Sequence, residues 1–375
     1  MSNCTSNARP IHICHLVYSF DTGGLEHVVL NCVNGLDKNK YRHTVVALTG
    51  SGELAPLLPN NAQFTCLHKP PGNPLSFHRT MWKALKTLQP DVVHSYNTST
   101  IEYQFWAFLA GVPFRMHADH GRDIFDPEGK NKKYQWLRRI LSPFINKFIC
   151  ISDDLYRWLT HDVNISAKKA ALIYNGIDTH KFSPKAKEHV ASSPSTFSIG
   201  TVARLAQIKD QQTMLEAFYL LTQQVDDDIT LHLVGGGPLQ EQLQSYAKEK
   251  NISDRIHFHG NQSEVLSYYH SFSLFTLSSL AEGIPMTLLE AMSCGLPVVV
   301  TKVGGIPEVV NPNQEGVLIA PKSPAALANA WLDYINNDER LHRHGEQARK
   351  TILNSFSEQG MLQAYDQLYS RRSAS

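Results

Sequence analysis

From residue 12 to residue 320 the chain alternates short β-branched apolar runs with helical stretches, and this rhythm restricts the fold more than any other feature. Strands are expected at 12–20, 43–49, 63–68, 91–95, 114–118 and 147–151, with a shorter run, AALIYNG, ending near Gly176. Helical periodicity fills 25–36, 76–88, 100–110, 132–146 and 153–160. A second series of strands follows at 197–203, 229–234, 255–259, 272–278, 296–301 and 316–320. Strands that alternate with helices imply βαβ units, and so parallel sheets covered on both faces. Residues 179–196, rich in Pro, Ser and Lys, carry no apolar period and read as a surface linker between two α/β halves. The expected domains are therefore 1–183 and 184–356. A final helical segment at 357–371 shows an apolar stripe, Met361, Leu362, Tyr365 and Leu368, that needs a surface to cover it.

Length and composition agree with two globular domains: 375 residues, of which 42% are hydrophobic. The net charge of +1 argues against a nucleic-acid partner, which calls for a basic excess. The six cysteines are scattered with no C-x-x-C pair, which excludes a disulfide scaffold or a cysteine zinc ribbon and suits a reducing compartment. MSNCTSNARP lacks the build of a signal peptide, and no stretch approaches the roughly 20 apolar residues of a membrane span. A cytoplasmic protein is expected.

Doubly wound sheets bind ligands at the carboxyl ends of their strands, so the chemistry belongs in the strand-to-helix loops, here in two domains facing across a cleft. Gly23 and Gly24 open a helix after the first strand, either as a tight turn or as an anion-binding helix start. No G-x-G-x-x-G is present, which disfavours a nicotinamide dinucleotide. His120, in Asp119-His120-Gly121-Arg122-Asp123, is placed to bond a ligand hydroxyl, and His117 with His120 lacks the third partner a metal site needs. Arg204 and Lys209 flank a loop that enters a helix, where two cations and the helix dipole can neutralise a diphosphate without a metal. Glu282 and Glu290 lie in SSLAEGIPMTLLEAMSCGLPVVVT, the first in the loop and the second two turns into the helix. There they can accept from sugar and ribose hydroxyls, and the amides of residues 284–288 stand at the helix start. Asp226, Asp227 and Asp228 read as a solvated helix-to-strand loop rather than a Mg²⁺ site, and Gly235-Gly236-Gly237-Pro238 as a strand-end turn that lets a ligand come near. Lys130–Phe148 carries Lys130, Lys132, Lys133, Arg138, Arg139 and Lys147 with interleaved Tyr134, Trp136, Phe144 and Phe148 and no acid. That pattern fits either an anionic membrane surface or a plain solvated face.

Gly23-Gly24-Leu25-Glu26, His120, Tyr174-Asn175-Gly176-Ile177-Asp178, Arg204 with Lys209, and Glu282 with Glu290 as an E-x7-E together resemble glycosyltransferase family 4. HADHGRDIFDPEGKNKKYQWLRR and RLAQIKDQQTMLEAF are further similar to the exopolysaccharide sugar transferases associated with the PEP-CTERM/exosortase system. The resemblance implies an α/β GT-B fold of two Rossmann-like domains, with the helix of 357–375 crossing back to the first. It implies a retaining hexosyl transfer from a nucleotide diphosphate sugar to a glycan or lipid-linked acceptor, with no metal cofactor. Under it, Gly23 and Gly24 line the diphosphate, Arg204 and Lys209 bind it, and His120 contacts the sugar near its anomeric centre. Glu282, with Gly283, Ile284, Pro285, Met286 and Thr287 after it, holds the donor sugar, and Glu290 the ribose. Two departures stand out: Asp210 follows Lys209 where many members have Gly, and Ile284-Pro285 replaces Phe-Gly, removing one backbone N–H. The rivals are a nucleotide-sugar epimerase and a non-catalytic scaffold of a polysaccharide assembly. Intact Arg204, Lys209, Glu282 and Glu290 argue against the scaffold.

Overall fold

The computed structural model describes residues 9–72, 74–122, 126, 128–185, 196–225 and 228–370. Two compact units emerge: Met1–Tyr174 with Met361–Ser375, and Asn175–Gly360. Most of the expected linker, residues 186–195, lies outside the described residues, as do Cys4, Asp123, Asp226 and Asp227.

The first unit is built on seven parallel strands: β1 Ile11–Val17, β2 Tyr41–Ala47, β3 Ala62–Cys66, β4 Val92–Tyr96, β5 Phe114–Asp119, β6 Lys147–Cys150 and β7 Ala170–Leu172. Their spatial order is β3-β2-β1-β4-β5-β6-β7. Helices α1 (Gly24–Gly35), α2 (Leu75–Leu88), α3 (Tyr103–Leu109), α4 (Lys132–Leu141) and α5 (Asp153–Arg157) connect them. Both faces of this sheet are covered: Ile13, Cys14, Leu16 and Val17 of β1 are all buried, with His15 buried among them. On one face α2 and α3 pack Phe77, Met81, Leu85, Tyr103 and Ala107 against Cys14, Leu16 and Val93.

The second unit repeats the plan with six strands: β8 Phe197–Val202, β9 Ile229–Val234, β10 Ile256–Gly260, β11 Leu274–Leu277, β12 Val298–Thr301 and β13 Gly316–Ile319, ordered β10-β9-β8-β11-β12-β13. Its helices are α6 (Gln211–Thr222), α7 (Gln240–Glu249), α8 (Leu266–Tyr269), α9 (Met286–Ser293), α10 (Ile306–Val309), α11 (Pro324–Ile335) and α12 (Asp338–Ser355). Met214, Leu215 and Phe218 of α6 share one core with Leu327 and Trp331 of α11. The last helix, α13 (Glu358–Ser370), enters the first unit at Met361. Tyr41 Oη and Lys40 Nζ both reach Asp366 Oδ1 at 2.7 Å, tying α13 to the start of β2. Its buried stripe is Met361, Tyr365 and Tyr369; the expected Leu368 is only half-buried, because the true spacing is i, i+4, i+8.

Two expectations along the chain change. The helix expected over 132–146 stops at Leu141, since Pro143 turns Ser142–Phe144 into a 3₁₀ segment. The stretch Lys130–Phe148 is not one cationic surface either. Phe148 is fully buried in β6, and Arg138 is buried with its guanidinium on Asp119 at 2.6 Å. Lys130 pairs with Glu128, Lys147 donates to the Lys168 carbonyl, and Arg139 to that of Asp162. Acids and carbonyls outside the stretch, invisible in its own composition, take up these cations. What still faces outward is Lys130, in its surface pair with Glu128, and Lys132 and Lys133 beside Trp136 and Ile140. Among the described residues no helix is long and apolar enough to cross a membrane.

Candidate active site

The strand order reverses direction at β1/β4 in the first unit and at β8/β11 in the second. A crevice opens outside the strand ends at such a switch point. In the second unit the loops after β8 and β11 carry the expected residues: Arg204 and Lys209 follow β8, and Glu282 follows β11.

Lys209 Nζ donates to Glu282 Oε1 at 2.5 Å, and Ser279 Oγ donates to the same oxygen at 2.6 Å. Both bonds fall on Oε1, which leaves Oε2 to accept from a ligand. The Lys209 loop is a 3₁₀ turn, Gln207–Lys209, ending at Asp210 with φ 48° and ψ 46°. This left-handed conformation suits glycine and is tolerated by Asp, which accounts for the residue standing there. Asp210 accepts from Thr213 Oγ1 at 2.8 Å, and Ser278 Oγ donates to its carbonyl at 2.8 Å. The departure at 210 therefore leaves the turn intact. Arg204 is exposed on the same loop.

The glycines at 235 and 237 are required by the backbone packed against them. A Cβ on Gly235 would lie 2.2 Å from the Ala203 carbonyl oxygen, and one on Gly237 2.3 Å from that of Leu205. The turn is a floor on which the Arg204 loop rests, sealed by the Leu205 amide donating to the Gly236 carbonyl at 2.9 Å. Gly304 does the same for Glu282: its φ is +51°, and a Cβ there would stand against the Glu282 carbonyl oxygen. The Gly305 amide then donates to Gly283 O at 3.1 Å.

Ile284 and Met286 turn their side chains into the core, and the Ile284 carbonyl accepts from Asn175 Nδ2 at 3.3 Å. Pro285 caps α9 in an extended conformation with no side-chain cap bond, so the first turn, at Met286 and Thr287, keeps its helix-start amides uncapped by any side chain. Glu290, on the second turn of α9, accepts from Tyr269 Oη at 2.6 Å on Oε2. Burial raises its carboxyl above the usual range, while the Tyr269 hydroxyl and the Lys181 charge draw it back down.

In the first unit, His120 follows β5, and its amide donates to Asn97 Oδ1 at 2.8 Å. Burial pushes the imidazole down to about 4, so it is neutral at pH 7, and its buried Nε2 has no bond among the described residues. His117 points elsewhere, to Ser95 Oγ at 2.8 Å, and the described residues contain no cluster of three His, Cys, Asp or Glu arranged for a metal. Gly23 is extended at φ −168° and precedes Gly24, the first residue of α1. Its missing side chain makes room for Glu26, whose Oε2 would lie 2.3 Å from a Cβ at Gly23. Desolvation lifts the Glu26 carboxyl to about 7. Glu26, Ser279, Tyr269 and Gly304 are contributors the sequence reading left without a role. Glu26 and Ser279 stood inside the quoted motifs, Ser279 only three residues from Glu282, while Tyr269 and Gly304 act through contacts about twenty residues along the chain.

Residues 22–181 match the family described as Glycosyltransferase Family 4, and residues 183–351 match Glycosyl transferases group 1. The chain belongs to glycosyltransferase family 4. The UDP-Gal:α-D-GlcNAc-diphosphoundecaprenol α-1,3-galactosyltransferase of Escherichia coli is 28% identical over 289 residues, 74% of each chain. EpsF of Bacillus subtilis, assigned as a glycosyltransferase, is 27% identical over 318 residues, 79% of this chain and 80% of its own. Among solved structures, HepE of Anabaena with UDP and glucose superposes with a TM-score of 0.80 at 20% identity, covering 96% of this chain and 99% of its own. The two Rossmann-like units are those of the GT-B fold, and this family 4 member is a glycosyltransferase.

Proposed function

We propose that this glycosyltransferase moves a hexose from a nucleotide diphosphate sugar to a hydroxyl of a glycan or lipid-linked acceptor, with retention of the anomeric configuration. The observation that carries the reading is the Lys209–Glu282 pair, formed across the switch point by the loops after β8 and β11, with the exposed Arg204 on the first loop and Glu290 on the helix that follows the second. Arg204 and Lys209 bind the diphosphate and need no metal; Glu282 Oε2 accepts from sugar hydroxyls, and Glu290 Oε1 from the ribose. The acceptor hydroxyl attacks the anomeric carbon on the face the diphosphate leaves. The bond to the phosphate oxygen breaks, that oxygen takes the acceptor's proton, and the two cations stabilise its charge. His120, neutral and with Nε2 available, donates to or accepts from the sugar near the reacting carbon.

The matched relative that acts on a diphosphoundecaprenol-linked sugar supports a lipid-linked acceptor. Outward Trp136 and Ile140 beside Lys132 and Lys133 support a peripheral contact with anionic lipid, at the inner face of a reducing, cytoplasmic compartment. The reading is tested by NMR of the product formed from UDP-, GDP- and ADP-hexoses with a hydroxyl acceptor. An α-donor giving an α-linked product is expected. A β-linked product, or donor epimerised with no acceptor present, contradicts it.

A further inference from the structure

Tyr269 closes α8 and is fully buried. Its ring meets Phe182 at 6.1 Å, Phe272 at 6.2 Å and Phe275 at 6.0 Å between centroids. Edge-to-face and tilted contacts of this kind hold a ring in one orientation. Held so, the phenol has one proton to give and two oxygens in range, Glu290 Oε2 at 2.6 Å and Thr287 O at 3.4 Å. The nearer, ionisable oxygen takes it, because a hydroxyl donating to a carboxylate makes the shorter and stronger bond.

We propose that Tyr269 is a positioning residue for nucleoside recognition: it commits Glu290 Oε2, fixes the carboxylate's rotation, and leaves Oε1 as the acceptor offered to the ribose diol. The inference rests on the reading of Glu290 as the ribose ligand. Desolvation on α9 alone favours a protonated carboxyl, which would present a donor where the diol needs an acceptor. The groups acting on Glu290 are Tyr269 from α8 and Lys181 from the segment entering the unit; Cys294 at the end of α9 is itself raised by Glu290 and drawn down by Arg349 of α12. Of these, the Tyr269 hydroxyl bonds the carboxylate directly.

Tyr269→Phe removes the hydroxyl and keeps the ring. The test is calorimetric binding of UDP, GDP and ADP and of their 2′,3′-dideoxy forms at pH 8 and pH 6. The full-length wild type, Tyr269→Phe, Glu290→Gln and the double variant are compared. The wild type should prefer the ribose form of its best nucleotide by about tenfold or more. Tyr269→Phe should lose most of that preference, bind the dideoxy form as the wild type does, and weaken further at pH 6. The double variant should be no worse than Glu290→Gln alone. Equal dideoxy binding also reports that the pocket is folded. If Tyr269→Phe keeps the full preference at both pH values while Glu290→Gln loses it, the positioning role is overturned; if Glu290→Gln keeps it, the reading of Glu290 as the ribose ligand fails. If the wild type ignores the ribose hydroxyls, or binds none of the three nucleotides, the reading of Glu290 itself fails.

Discussion

Lys209 and Glu282 neutralise each other across 2.5 Å, with side chains 23% and 10% exposed, so neither charge is left half-buried without a partner. In the proposed reaction they part company in role: the lysine serves the diphosphate, the glutamate the sugar. Glu282→Ala should therefore lower transfer by a factor of a hundred or more, since it removes hydroxyl acceptors that position the reacting sugar. Affinity for the free nucleoside diphosphate should stay within a few fold, because Lys209 is released rather than lost. Turnover and calorimetry on the one variant check both halves, and wild-type turnover would end the assignment. The E-x7-E spacing was legible because both glutamates belong to one loop and helix. Ser279 and Tyr269, which decide which carboxylate oxygen is free, were not, since a hydroxyl three residues away or across the fold leaves no spacing signal. Asp210 shows the same limit: the chain reveals a missing glycine, but only the backbone shows a left-handed turn that Asp can adopt.

Among the elements, α13 shows how packing turns a run of polar residues into a core. Tyr369 Oη bonds His94 Nδ1 at 2.8 Å, and His94 Nδ1 also meets Tyr96 Oη at 2.9 Å. Tyr96 Oη in turn meets His15 Nδ1 at 2.8 Å, whose Nε2 reaches His43 Nδ1 at 3.0 Å. Burial holds His43 down to about 4 and His15 and His94 well below the ordinary value, so all three are neutral in the native state. The unfolded chain takes up protons near 6.5 and the folded one does not, so stability is complete above about pH 7 and is lost as pH falls toward 4. Each buried histidine kept neutral costs about 1.4 kcal/mol per pH unit across that window. Glu26 acts in the opposite sense between its unfolded value and about 7, but it is one group against these three and against His12, His117 and His120, which burial also lowers. Thermal unfolding of the first unit should drop by about 5 °C or more per pH unit between pH 6.5 and 5. A flat profile would contradict the neutral network. The β-strand rhythm was readable without any of this. The histidines were not, since alternate residues of a strand face opposite sides and only the partner helix shows which side is closed.

Across the molecule, a net charge of +1 concealed where the charge is used. Lys130–Phe148 looked cationic as a string, and the fold spends half of its cations on internal partners. Arg204 and Lys209, to which the proposed reaction gives the diphosphate, stand on one loop of the second unit, at the switch point of its sheet. The architecture was legible because βαβ alternation is a property of every segment; the assignment of cations was not, because it depends on which segments meet. The proposed reaction has Arg204 and Lys209 hold the donor diphosphate with no metal. Its most direct test is calorimetric titration with UDP, GDP and ADP in excess EDTA, on the wild type and on Arg204→Ala with Lys209→Ala. The wild type should bind its preferred nucleotide in EDTA, and the double variant should lose about a hundredfold in affinity, as two charge-assisted contacts require. Binding by the wild type only when a divalent metal is restored, or undiminished binding by the double variant, would contradict it.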